Sequence, residues 1–166
     1  MDIIYQVNLG FSINDVTITW GMPRGKVREL LMKDFKEDNA TLDFSEIFAK
    51  TEDDDFDFSQ RRDIYSGLVN EGDSIFMLYD DEDRLSEFEV HENISVSISD
   101  FRLYSGQPLE EILEWADNEE YGLEQSEPGN YIIPELKITF ADFNAMGGND
   151  DGLAYFYASA DVSHLS

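Results

Sequence analysis

The feature that most constrains this 166-residue chain is a short pattern that occurs twice. Val16-Thr17-Ile18-Thr19 leads into Gly21-Met22-Pro23-Arg24-Gly25-Lys26-Val27-Arg28-Glu29-Leu30-Leu31, and Val96-Ser97-Ile98-Ser99 leads into Gly106-Gln107-Pro108-Leu109-Glu110-Glu111-Ile112-Leu113-Glu114-Trp115-Ala116. In each copy Gly allows a tight turn, and Pro stands at a first helical position, where a missing N–H is tolerated. Apolar residues then recur at helical spacing. Val27, Leu30 and Leu31 form one buried stripe, and Ile112, Trp115 and Ala116 form the other.

Strand signals follow each helix. Asp63 to Val69, Ser74 to Tyr79 and Leu85 to His91 form a meander whose turns are Asn70-Glu71-Gly72-Asp73 and Asp80-Asp81-Glu82-Asp83. Phe88 and Val90 alternate with Glu87 and Glu89, as on a strand with one wet face. In the second half, Tyr131 to Ile133 and Leu136 to Phe140 precede a Gly147-Gly148-Asn149-Asp150-Asp151-Gly152 turn and a last strand over Leu153 to Val162. The fold class that follows is α+β: one domain of two tandem repeats, about 1–91 and 92–166. Their helices are expected on one face of a continuous antiparallel sheet. Residues 38–62, containing Thr51-Glu52-Asp53-Asp54-Asp55-Phe56-Asp57, break the repeat. They are expected as an exposed acidic insertion, with Phe44, Ile47 and Phe48 on one helical turn, and Glu119 to Asn130 as a second acidic loop.

Charge narrows the function classes. Thirty-seven acidic residues face eleven basic ones, a formal charge of -26 that exceeds what solubility needs and favours a basic partner. Nucleic acid and anionic membrane are disfavoured, since both reward Lys and Arg clusters and the best basic run is only Arg24-Gly25-Lys26-Val27-Arg28. A 42% hydrophobic share, with twelve Phe and eight Tyr spread along the chain, argues for a folded core. The absence of cysteine removes disulfides, thiolate nucleophiles and cysteine-ligated metals. Neither a leader nor a run of roughly eighteen apolar residues is visible, so a cytoplasmic location is expected.

Catalytic motifs are missing as well. There is no Gly-x-Ser-x-Gly, no Ser-x-x-Lys and no phosphate-cradling glycine loop. His91 falls at a strand end and His164 near the last residue, neither in the setting of a catalytic base. Asp53, Asp55 and Asp57 start like a calcium loop, but Phe58 replaces the glycine and Ile64 the closing carboxylate, so no metal or cofactor is expected. Asp80-Asp81-Glu82-Asp83 reads as a solvated turn.

Alternation points to a binding face. Glu87, Glu89, Lys137, Thr139, Tyr155 and Tyr157 share one side of the predicted sheet, and tyrosines among carboxylates suit recognition because they bury area and still hydrogen-bond. The alternative places Tyr155 and Tyr157 in the core, because Leu153 shares their parity. Phe56 and Phe58 are equally open between core anchors and partner contacts. The partner-binding candidates are Asp53, Asp54, Asp55, Asp57, Glu87, Glu89, Tyr155 and Tyr157.

A strand, Gly-Met-Pro-x-x-x-Val-x-x-Leu-Leu opening a helix, and a meander ending in an acidic turn and Phe88-Glu89-Val90 resemble small bacterial tandem-repeat proteins. These are the helix-plus-meander proteins of the β-lactamase inhibitor type. The resemblance implies an immunity or inhibitor protein: non-catalytic, with its acidic surface set against a basic enzyme, a toxin or nuclease. A regulatory or structural domain whose charge only solubilises it, and an enzyme with an unrecognised carboxylate site, are the alternatives.

Overall fold

The two Gly-x-Pro segments do start helices, and they start them in the same way. The computed structural model describes residues 2–43, 57–145 and 152–160. Helix α1 spans Arg24–Leu31 and helix α2 spans Leu109–Asn118. Each proline is the residue before the helix, in extended conformation (φ -60°, ψ 143° for Pro23; φ -57°, ψ 129° for Pro108), one position earlier than the sequence reading placed it. Gly21 and Gly106 turn the chain at φ 82° and 81°, a region in which a side chain is strained.

Strands β1 (Ile3–Gln6), β2 (Gly10–Ile13) and β3 (Val16–Thr19) precede α1, and β4 (Lys36–Asp43), β5 (Asp57–Ser66), β6 (Ser74–Tyr79) and β7 (Leu85–Glu92) follow it. Strands β8 (Ser95–Ile98) and β9 (Phe101–Tyr104) precede α2. Strands β10 (Glu124–Glu127), β11 (Asn130–Ile133), β12 (Ile138–Asp142) and β13 (Leu153–Ser159) follow it.

These strands make two sheets where one continuous sheet was expected. A five-stranded mixed sheet runs β3-β2-β1-β8-β9, and an eight-stranded antiparallel sheet runs β10-β11-β12-β13-β7-β6-β5-β4. The division has a simple cause. Each helix is preceded by a hairpin, β2–β3 or β8–β9, and the two hairpins meet on either side of β1 without joining the meanders.

The pairing also corrects the alignment of the repeat. Val16-Thr17-Ile18-Thr19 corresponds to Phe101-Arg102-Leu103-Tyr104, and Phe11-Ser12-Ile13 corresponds to Val96-Ser97-Ile98, because each hairpin leads to its own Gly-x-Pro at the same distance. The backbone bonds match. Gly21 N–H donates to Leu85 O at 2.8 Å and Leu85 N–H to Met22 O at 2.9 Å; Gly106 N–H donates to Leu153 O at 2.9 Å and Leu153 N–H to Gln107 O at 2.8 Å.

In the large sheet, β7 pairs with β13 so that Phe156 opposes Val90, Ala158 opposes Phe88 and Tyr157 opposes Glu89. The register is that of an approximate two-fold axis through the Glu89–Tyr157 pair. In the small sheet Ile4 of β1 opposes both Ser12 and Ser97, the two equivalent serines, so β1 lies on that same axis and is antiparallel to β2 but parallel to β8. Tyr5 follows from this placement. Its ring is 6.2 Å from both Phe88 and Phe156, which are 5.7 Å apart, and its hydroxyl donates to Leu136 O at 2.6 Å.

The core lies between the small sheet, the helices and one face of the large sheet. It joins Val27 and Leu31 of α1 and Leu109, Ile112 and Ala116 of α2 to Tyr65, Ile75, Met77, Phe88, Val90, Ile138, Phe140 and Phe156. The reverse face of the large sheet contributes none of its residues Ile132, Ala141 and Tyr157 to that cluster.

Two further expectations change. Residues 38–43 and 57–62, expected in an insertion, belong to β4 and β5, which pair from Lys36↔Ile64 to Asp43↔Asp57 and widen the meander by a strand. Residues 124–127, expected in a loop, form the edge strand β10, exposed throughout. Both strands are charge-rich because they close the two edges of the sheet, where charge opposes pairing with other chains. The Leu136–Phe140 strand is shorter than expected: Pro134–Leu136 is a 3-10 turn and the strand begins at Ile138. Phe44, Ile47, Phe48, Phe56, Val162, His164 and the turn centred on Asn149 lie outside the described residues.

Candidate functional site

Period-two alternation in β7 and β13 sends Phe88, Val90, Phe156 and Ala158 into the core and Glu87, Glu89, Tyr155 and Tyr157 to the reverse face. Leu153, despite its parity, is in the core, because a bulge between Leu153 and Tyr155 shifts the register. A matching bulge between Leu85 and Glu87 does the same in the first half. Tyr155 and Tyr157 therefore point away from the main core cluster, Tyr155 half-buried and Tyr157 itself buried at 6% exposure on the reverse face. Thr139 shares their face opposite Tyr157. Lys137 instead closes the 3-10 turn at φ 55° and donates its ammonium to Ala160 O at 2.9 Å.

Neighbouring strands extend this strip. Phe76 and Leu78 of β6 oppose Glu89 and Glu87, and Arg62 of β5 opposes Leu78. The Arg62 guanidinium lies 4.9 Å from the Phe76 ring centre and donates to Asp38 at 2.7 Å. Phe76 meets His91 at 4.5 Å, and His91 meets Tyr155 edge-on at 5.1 Å. The Tyr155 hydroxyl donates to Glu89 Oε1 at 2.6 Å, and His91 Nε2 is 3.5 Å from Glu89 Oε2.

Glu89 stands at the centre of this strip, with its side chain 17% exposed. Burial raises its pKa, but the hydrogen bonds from His91 and Tyr155 outweigh burial and hold it below the usual range. Burial pushes both tyrosines up, aided by Glu89 beside Tyr155 and by Glu87 beside Tyr157. The strip therefore presents an ionised carboxylate beside protonated phenols. That combination offers carboxylate acceptors beside phenol donors.

Three other carboxylates have structural duties. Asp63 is fully buried and receives Arg24 Nη2 at 2.7 Å and Arg28 Nε and Nη2 both at 2.8 Å, so the two arginines of the basic run are consumed in tying α1 to β5. Asp80 accepts from the Glu82 and Arg84 N–H groups at 2.9 and 3.0 Å, and Asp83 takes both ends of Arg61 at 2.7 Å. These are turn-forming and ion-pairing roles. Among the described residues, no group of His, Asp and Glu has the geometry to hold a metal ion.

Of the sequence candidates, Glu87, Glu89, Tyr155 and Tyr157 come together. Asp57 begins β5 opposite Asp43 at the far edge of the large sheet. Asp53, Asp54 and Asp55 lie outside the described residues. Sequence reasoning missed Arg62, Phe76 and Asp38 as members of the strip and left His91 as an isolated surface histidine. The signal was present for Phe76 and His91, since strand alternation carried through β6 and to the end of β7 puts both on the Glu89 side.

No protein-family model, curated protein or solved structure matches this chain.

Proposed function

We propose that this chain is a non-catalytic binding protein of immunity or inhibitor type, whose reverse sheet face receives a basic surface of an enzyme, with a cytoplasmic toxin or nuclease as the class of target. The observation that carries the reading is Glu89. Its carboxylate is kept ionised in a half-buried setting between His91 and Tyr155 and beside Tyr157, so negative charge is held ready at the centre of an aromatic strip. A guanidinium or ammonium docking there meets a charge-assisted acceptor that needs little reorganisation. Net charge speeds the encounter, and the aromatics slow departure.

The repeated hairpin, turn and helix, with their matched hydrogen bonds, support a duplicated unit, and the resemblance to tandem-repeat inhibitors rests on that duplication. Burial and the neighbouring carboxylates keep the tyrosines protonated, and Glu89 is held in its ionised form. Proton transfer is therefore the less favoured use of this face.

The test is affinity capture from the source organism with wild-type protein and with a Glu87→Gln/Glu89→Gln/Tyr155→Phe variant shown to be folded. A basic protein retained by the wild type and lost by the variant supports the reading. A partner retained equally by both refutes the assignment of this face.

A further inference from the structure

We propose that the crevice between the start of β9 and the end of α2 is a second recognition subsite that takes the guanidinium of an arginine side chain on a protein partner. The crevice encloses about 240 Å³ and is lined by Ser99, Asp100, Phe101, Trp115, Glu119 and Tyr121. That volume suits one side-chain head and is small for a drug-sized ligand. Phe101 stacks on Trp115 at 4.3 Å and 5° between planes, and Tyr121 meets Trp115 edge-on at 5.5 Å. All three rings are only half-buried.

Three observations point to a cation. First, the mouth carries Asp100 and Glu119, both exposed, and neither side chain makes an ion pair or hydrogen bond among the described residues. Second, indole offers the best face for a cation, yet among the described residues the arginines lie over Tyr79, Phe35, Phe76 and Tyr104 and over neither Trp20 nor Trp115, of whose two faces Phe101 covers one. Third, the repeat supplies an internal control. The positions equivalent to Phe101 and Trp115 are Val16 and Leu30, both half-buried, beside Asp15 at the position of Asp100. Aliphatic side chains thus satisfy the fold at these positions, and the second copy carries rings where packing does not demand them. Guanidinium is preferred to ammonium because it is planar, stacks on rings and is more weakly hydrated.

This inference shares with the proposed function only a basic partner, and it concerns a different surface, so the two fail separately. The experiment follows the indole N–H resonance of Trp115 by NMR during titration with N-acetylarginine amide, N-acetylcitrulline amide as the neutral isostere, and N-acetyllysine amide. The arginine compound is expected to give a saturable shift confined to the crevice. The citrulline compound should give none, and the lysine compound at least threefold weaker binding. In Asp100→Asn/Glu119→Gln the arginine affinity should fall at least fivefold. Trp115→Leu, which installs the residue of the matching position, should remain folded and lose the shift at the Phe101 amide. Equal shifts with citrulline, equal binding of lysine, or an unchanged affinity in the charge variant would each overturn the proposal.

Discussion

Removing the Asp63 carboxylate is the most demanding test of how this fold is held together. Asp63 is fully buried and accepts from Arg24 at 2.7 and 3.2 Å and from Arg28 at 2.8 Å twice, while Arg24 itself is only 5% exposed. Asp63→Ala leaves the buried Arg24 guanidinium and the half-buried Arg28 guanidinium without their shared carboxylate, a change that costs about 3–5 kcal/mol. With a urea dependence of about 2 kcal/mol per molar, the unfolding midpoint should fall by about 1.5–2.5 M. The second repeat shows an apolar solution at the same place. Leu109 and Leu113 stand where α1 has Arg24 and Arg28, and Tyr131, opposite Phe140, stands where Asp63 opposes Met77. Arg24→Leu/Arg28→Leu/Asp63→Tyr should therefore recover most of the loss and finish within about 2 kcal/mol of wild type.

Acid adds an independent check. Although burial pushes the Asp63 pKa up, the hydrogen bonds and charges of Arg28 and Arg24 outweigh it and hold the pKa below its ordinary value. Its stabilising contribution is complete above the unfolded carboxyl pKa and is lost as pH falls through the depressed native one. The wild type and Asp63→Ala should therefore converge in stability as the solution is acidified. A midpoint shift under about 0.5 M for Asp63→Ala, or a triple variant less stable than the single one, would refute this account of the cluster.

Tyr155→Phe removes a 2.6 Å bond to a half-buried carboxylate and should cost about 1.5–3 kcal/mol in thermal or chemical denaturation. Because Glu89 titrates below its ordinary range when folded, wild-type stability should fall as pH drops through that lowered value, and Glu89→Gln should flatten this limb of the pH–stability curve. Two glycines should behave oppositely. Gly10→Ala drives a methyl group into the Ile18 carbonyl at φ 142° and should disrupt the β2–β3 hairpin, whereas Gly25→Ala meets open space inside α1 and should stabilise by about 0.5–1 kcal/mol.

Local chemistry was legible in the sequence, and long-range arrangement was not. Gly21-Met22-Pro23 and Gly106-Gln107-Pro108 announced both helices because turn and helix start are decided within a few residues. Alternation in Glu87-Phe88-Glu89-Val90 announced which residues turn away from the core cluster for the same reason, but not that Tyr157, Thr139, Ile132 and Ala141 on that face would be buried too. The repeat was set out of step because Val16-Thr17-Ile18-Thr19 and Val96-Ser97-Ile98-Ser99 are both β-branched alternations; they belong to opposite strands of their hairpins, a fact visible only in the pairing. Strand β4, with its Lys36-Glu37-Asp38-Asn39 start, carries little strand propensity, and its neighbour β5 imposes the conformation. The bulge between Leu153 and Tyr155 has no local signature, so parity alone could not place Tyr155. The split into two sheets depends on β1 pairing with both hairpins, one of them far along the chain.

The central claim, a pre-ionised carboxylate strip that receives a basic partner, is tested most directly by association kinetics. The measurement is surface plasmon resonance of the captured basic partner against wild-type protein, Glu87→Gln/Glu89→Gln, a variant neutralised at Asp53, Asp54, Asp55 and Asp57, and Tyr155→Ala, each shown to be folded, over a series of salt concentrations. The account predicts slower association with a flatter salt dependence for the Glu87/Glu89 variant and for the four-aspartate variant. For Tyr155→Ala it predicts chiefly faster dissociation, equivalent to about 1–3 kcal/mol. Association that stays unchanged at low salt when Glu87 and Glu89 are neutralised would contradict it.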